Sequence, residues 1–139
     1  MRNAEPNKRL TDLELEIMQV VWDAHPAALT VRTVAERMAA TGKSLAYTTV
    51  QTMMNILKKK GVLVAEPGAG RAHEYQARVS RSDARRSMTT DFVDRLFRGE
   101  AQPLLAHLLS HESVSRDELE LLKRQIETQL EDDAEGDAQ

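Results

Sequence analysis

Apolar residues recur along this chain at two different periods, and the changes between them divide it into parts. Leu13, Ile17, Val20, Val21 and Trp22 return at helical spacing. Ahead of them, Thr11-Asp12-Leu13-Glu14 has the spacing of a capping box, in which a threonine hydroxyl and a glutamate carboxylate satisfy early backbone amides. A first helix therefore follows Thr11 and ends before Pro26. Leu29 reads as a short strand residue and Thr30 as the N-cap of a second helix, lined inside by Val31, Val34, Ala35 and Met38. Thr41-Gly42-Lys43 makes a turn, and Ser44 is placed to cap a third helix. Its apolar stripe is Ala46, Val50, Met53, Met54 and Leu57. After Gly61 the period shortens. Val62-Leu63-Val64-Ala65 is strand-prone, Pro67-Gly68-Ala69-Gly70 is turn chemistry, and Arg71 to Val79 alternates weakly around Tyr75 and Ala77. Two strands alone are marginal in water, so this hairpin has to pack on the helices. Three helices and then a hairpin is the order of a winged helix-turn-helix.

From Ser80 the helical period returns. Ser80 or Ser82 opens a helix carrying Met88, Phe92, Val93, Leu96 and Phe97, which Gly99 closes. Pro103 fits the first position of a further helix with Leu104, Leu105, Leu108 and Leu109. Ser115-Arg116-Asp117-Glu118 is a second capping box, opening a helix with Leu119, Leu122, Ile126 and Leu130. Short amphipathic helices of this kind bury too little area for a core of their own, so a second copy of the chain is expected to complete it. The expected dimer contacts are Phe92, Leu96, Leu104, Leu108, Leu119, Leu122 and Ile126. The expected fold is mostly α with a small β-hairpin. A winged helix-turn-helix DNA-binding domain over residues 10–79 is followed by a helical dimerisation subdomain over 80–130. Residues 1–9 and 131–139 show no apolar period and read as disordered tails, the second holding five acids.

Composition narrows the possible functions. With 139 residues and only 4% aromatics, the core must be built mostly from Leu, Val, Met and Ala. Zero cysteines exclude a disulfide, a thiolate metal site and a cysteine nucleophile. No apolar run has the length of a membrane span and no hydrophobic signal segment opens the chain, so the expected address is cytoplasmic, away from membranes. The net charge of −3 hides an asymmetry. Residues 1–79 carry 11 Lys or Arg against 8 Asp or Glu, whereas residues 80–139 carry 8 against 14. Between Arg37 and Ala65 stand four lysines and no acid. An electrostatic footprint is local, so the basic half is where phosphate is sought.

That basic stretch contains the third helix. Its polar face carries Thr48, Gln51, Thr52, Asn55 and Lys58 or Lys59. Hydroxyls and amides that reach base edges, with cations beside them, suit a helix lying on DNA. The same face would also serve a plainly solvated helix, and the hairpin that follows tips the choice toward DNA. At the hairpin tip Arg71 and His73 are placed for phosphate or the minor groove, against the alternative of an exposed arginine. Trp22 is a core anchor or a ligand platform, and its place in an apolar helix favours the anchor. His107 and His111 stand four apart with Glu112 adjacent, a spacing that serves a metal given one more ligand. The sequence places no third ligand, so neither a metal nor a cofactor is assigned. Gly68-Ala69-Gly70 lacks the later residues of a phosphate-binding loop, and no nucleophile elbow occurs, so an enzyme is not expected. Two alternatives remain: a winged-helix protein-interaction module, which clustered lysine disfavours, and a metal-responsive DNA-binding sensor using His107 and His111.

Several segments together resemble one family. Leu10-Thr11-Asp12-Leu13-Glu14-Leu15-Glu16-Ile17-Met18 with Val21-Trp22 is similar to the opening of the penicillinase repressor family of bacterial regulators. Tyr47-Thr48-Thr49-Val50-Gln51-Thr52-Met53-Met54 with Lys59-Lys60-Gly61 resembles its recognition helix. Arg71-Ala72-His73-Glu74-Tyr75 resembles its wing, and Ser115-Arg116-Asp117-Glu118-Leu119 its last dimer helix. The resemblance implies a homodimeric repressor on an inverted-repeat operator, with an upstream sensor or protease as a further partner. Carried over position by position, it puts Lys43, Ser44, Tyr47, Thr48, Thr49, Gln51, Thr52, Asn55 and Lys58 on DNA, with Arg71 and His73 on the wing. Three departures stand out. Ile56 occupies a place where many relatives carry Arg. His107-Leu108 stands where the β-lactam-responsive members carry a protease-sensitive Asn-Phe bond. The C-terminal cysteine cluster of the copper-responsive branch is absent. The resemblance therefore leaves the inducer open.

Overall fold

The structure, a computed structural model, describes residues 9–110 and 114–137. Helices α1 (Asp12–Ala24), α2 (Val31–Ala40) and α3 (Tyr47–Lys59) lead into strands β1 (Leu63–Pro67) and β2 (His73–Ala77). Helices α4 (Arg81–Phe97), α5 (Ala101–Leu109) and α6 (Arg116–Asp137) follow. The expected winged helix-turn-helix order is the order observed.

The caps are formed where the sequence puts them at α1 and α2. The Thr11 hydroxyl accepts from the Glu14 amide at 3.2 Å, and the Thr11 amide donates to Glu14 Oε1 at 2.8 Å. The Thr30 hydroxyl accepts from the Thr33 amide at 3.2 Å. The strands pair antiparallel, with Ala65 opposite Tyr75 and Pro67 opposite His73. Leu29 adds a third rung: its amide donates to the Tyr75 carbonyl at 2.9 Å, and the Tyr75 amide donates back at 2.7 Å. The hairpin is thereby stitched to the segment between α1 and α2, which supplies the support that two strands lack alone. Ile17, Met18, Val34, Val50, Met54 and Leu57 are fully buried between the helices and the sheet. Trp22 is an anchor, buried, with its indole N–H donating to the Val79 carbonyl at 2.9 Å.

The chain divides into two compact units, Met1–Thr89 and Thr90–Gln139, so the division falls inside α4 and not at residue 79. The reason lies in the first turns of α4. Arg81 Nη2 donates to Asp23 Oδ1 at 2.6 Å, its guanidinium lies 5.6 Å from the centre of the Trp22 ring, and Ala84 and Met88 pack against the head core. In the second unit, Pro103 is the third residue of α5 and not its first, because the helix opens at Ala101. The Ser115 box at α6 forms as expected, with the Glu118 amide 3.1 Å from the Ser115 hydroxyl. Helix α6 then runs on to Asp137, through most of the stretch expected to be a disordered acidic tail. Glu and Ala are good helix formers there, and Gln129 Nε2 donates to Asp133 Oδ1 one turn on. The expected tail at residues 1–9 lies outside the described residues except for Arg9.

Candidate nucleic-acid interface

The site is built from the turn upward. At the end of α2 the Met38 carbonyl accepts from the Thr41 amide, the Lys43 amide and the Thr41 hydroxyl, at 2.9 to 3.1 Å. Gly42, at φ 96°, supplies the left-handed residue that lets the chain turn there. Ser44 does not cap α3. The segment after Lys43 runs without regular structure, Leu45 packs against the core, and the helix starts only beyond it at Tyr47 with Ala46 as N-cap. Anchoring Leu45 moves the N-cap two residues past the best local capping residue. Ala46 is correspondingly exposed and is not part of the apolar stripe. An alanine cap has no side-chain acceptor, and the first turn holds no acid. The Thr49 amide donates to the Ala46 carbonyl at 3.0 Å, and no side chain caps the amides ahead of it, which leaves them open to an anion with the positive end of the helix dipole behind them.

Val50, Met54 and Leu57 bury one face of α3. The opposite faces are exposed and carry Tyr47, Thr48, Thr49, Gln51, Thr52, Asn55, Ile56, Lys58 and Lys59. Lys43 and Ser44 are exposed just ahead of the helix, and Lys43 Nζ reaches Glu16 Oε1 at 3.6 Å in a loose surface pair. The three-lysine run does not act as a unit. Lys60 turns inward, its ammonium 2.7 Å from Glu14 Oε1 and 3.1 Å from the Arg9 carbonyl. Burial pushes the Glu14 carboxyl up, but the Lys60 and Thr11 hydrogen bonds and the Lys60 charge outweigh it and hold the group below its ordinary value. Local period gave no hint of this pair, because its partners lie 46 residues apart.

On the wing, Arg71 and His73 are exposed. The tip is tight at Gly68, whose amide donates to the Ala72 carbonyl at 3.2 Å. A Cβ at Gly68 would lie 2.9 Å from that same oxygen, so the turn needs glycine. A cavity of about 540 Å³, lined by Leu10, Lys60, Val62, Val79, Ala84 and Met88 among others, lies at the far end of α3 from its open amides.

In the second unit no residue of α4, α5 or α6 is buried in the single chain. Phe92, Leu96, Leu108, Leu119, Leu122 and Ile126 are exposed and Leu104 is half-buried. His107 lies in α5, and His111 and Glu112 lie outside the described residues. Among the described residues no group of three His, Asp or Glu is gathered to hold a metal, and no helix is long and apolar enough to cross a membrane.

Comparison with known proteins gives a consistent match. The family model described as penicillinase repressor matches residues 10–128. The transcriptional regulator BlaI of Mycobacterium tuberculosis is 34% identical over 119 residues, covering 85% of this chain and 83% of that protein. The penicillinase repressor of Bacillus licheniformis is 26% identical over 119 residues, covering 86% of this chain and 90% of that one. The solution structure of monomeric Bacillus licheniformis BlaI in complex with the blaP half-operator is 32% identical. It covers 54% of this chain and 87% of its own, at a TM-score of 0.44.

Proposed function

The chain belongs to the penicillinase repressor family and is a DNA-binding transcriptional repressor, and from that premise we propose that it works as a homodimer on an inverted-repeat operator. Helix α3 reads bases in the major groove and the wing holds the backbone through Arg71 and His73. The observation that carries this reading is the acid-free exposed face of α3, where Thr48, Gln51, Thr52 and Asn55 lead to the exposed Lys58 and Lys59. Lys43, Ser44, Tyr47 and Thr49 join that face as contacts, with backbone phosphates the natural partners of the residues nearest the open amides. The exposed apolar side chains of α4, α5 and α6 support the dimer, since three helices without a buried residue have their core still to complete. Two-fold pairing then presents two heads to two half-sites. The site of action is the cytoplasm.

Gel shifts with the DNA upstream of its own reading frame test the reading. Binding is expected to weaken steeply between low and physiological salt, because each phosphate neutralised releases counterions. Arg71→Ala should weaken all sequences about equally. Asn55→Ala should relax preference at one base position by about 1–3 kcal/mol, the worth of a bidentate base contact. Binding indifferent to salt, or none, would sink the proposal.

A further inference from the structure

We propose that Ile56 is a specificity residue that reads thymine, packing its side chain on the C5-methyl group of a T·A pair in each half-site. This rests on α3 being the recognition helix. Ile56 is 37% exposed and takes no part in the core cluster, although it is one of the most apolar residues of the helix. It stands four residues after Thr52 and seven after Thr49, so the three share one face, and all three are exposed. Each threonine carries a methyl group of its own, on a helix whose other exposed side chains are mostly hydroxyls, amides and lysines.

The chemistry of the major groove supplies one apolar partner for such side chains. Every base edge there presents hydrogen-bond donors or acceptors, and thymine alone adds a methyl. Burying Ile56 against that methyl removes apolar surface from water on both sides. A cytosine or adenine amine in the same place would be covered by a side chain that accepts no hydrogen bond, and a buried unpaired donor is penalised. Ile56 thus selects in two ways, by attraction to thymine and by the penalty on its competitors. Tyr47, the other large exposed apolar residue of α3 at 48%, carries a hydroxyl and does not force the same conclusion.

The test begins with full-length protein enriching bound duplexes from random-sequence DNA. Dissociation constants are then measured for the enriched duplex with each thymine replaced in turn by deoxyuridine, which pairs identically and lacks only the methyl. One thymine per half-site is expected to be sensitive, losing about fourfold in affinity per methyl removed, the equivalent of one buried methyl group. In Ile56→Ala the same replacement is expected to have no effect, and the enriched sequences should lose their preference at that position. The uracil series on the unaltered protein keeps the test independent of how the variant folds. A uracil-insensitive duplex, or a loss that persists undiminished in Ile56→Ala, overturns the role of Ile56 while leaving α3 as the reading helix. Failure to enrich any sequence overturns both.

Discussion

The pair joining Glu14 to Lys60 predicts an asymmetry between two substitutions that each remove one partner. Glu14 is 2% exposed, and its carboxylate accepts from Lys60 Nζ at 2.7 Å and from the Thr11 amide at 2.8 Å. The Lys60 side chain keeps 27% of its surface in water. Lys60→Met therefore strands a buried carboxylate with one amide for company, whereas Glu14→Gln leaves an ammonium that can swing out to solvent. Breaking a buried pair from the side that leaves the charge buried costs about 3–5 kcal/mol, and the partial exposure of Lys60 puts this case near the lower figure. Glu14→Gln keeps an acceptor for the Thr11 amide and loses one charge-assisted bond, so it should cost about 1–2 kcal/mol.

The pH dependence sharpens the expectation. The folded-state value of Glu14 lies below its ordinary 4.5, so its stabilising contribution is present above that ordinary value. It is lost as pH falls through the depressed folded value. In Lys60→Met the lysine's hydrogen bond and charge are gone, so two of the causes that lower the folded value are lost and it rises relative to the parent's. The folded variant then takes up its proton more readily than the folded parent, and its deficit relative to the parent should shrink as pH falls from 7 through about 4.5. Urea unfolding at fixed protein concentration, followed by the fluorescence of the single tryptophan Trp22, reads the head directly. A Glu14→Gln deficit as large as that of Lys60→Met would refute the reasoning. So would a Lys60→Met deficit that stays constant between pH 7 and pH 4.

Further expectations concern α4, the second unit and the wing. Arg81→Ala should destabilise the head by about 1 kcal/mol, read by the same urea assay, because its cation over Trp22 and its exposed pair with Asp23 are each worth a fraction of that. Leu122→Glu combined with Ile126→Glu should convert a dimer to monomer in sedimentation equilibrium, since both side chains are at least 40% exposed in the single chain. Gly68→Ala should weaken DNA binding in gel shifts with little change in head stability, because the added Cβ meets the Ala72 carbonyl at 2.9 Å and displaces the wing tip.

What the sequence made legible, and what it hid, follows from the range of the interactions concerned. The caps at Thr11, Thr30 and Ser115 and the burial of Val50, Met54 and Leu57 depend on residues within a turn or two, and local pattern found them. So did the exposed face of α3, because a polar stripe opposite an apolar one is a property of one helix. The start of α3 was misplaced because Ser44 is the better cap locally, while Leu45, two residues short of the helix, is held by core contacts from elsewhere in the chain. That Lys60, third in a run of lysines, turns inward was hidden for the same reason, since its partner comes from the start of α1. The division inside α4 depends on Arg81 meeting Asp23 and the Trp22 ring, 58 residues back in the first case. These errors have a common consequence for the interface. Each removes a residue or moves a boundary at the ends of α3 or of the head, and none alters the exposed row from Thr48 to Lys59. A face that polar and apolar spacing determine within one helix is robust to what long-range contacts do at its ends. Substitutions in that row should therefore change which DNA is bound, while substitutions at Leu45 or Lys60 should change whether the helix is held in place to bind it.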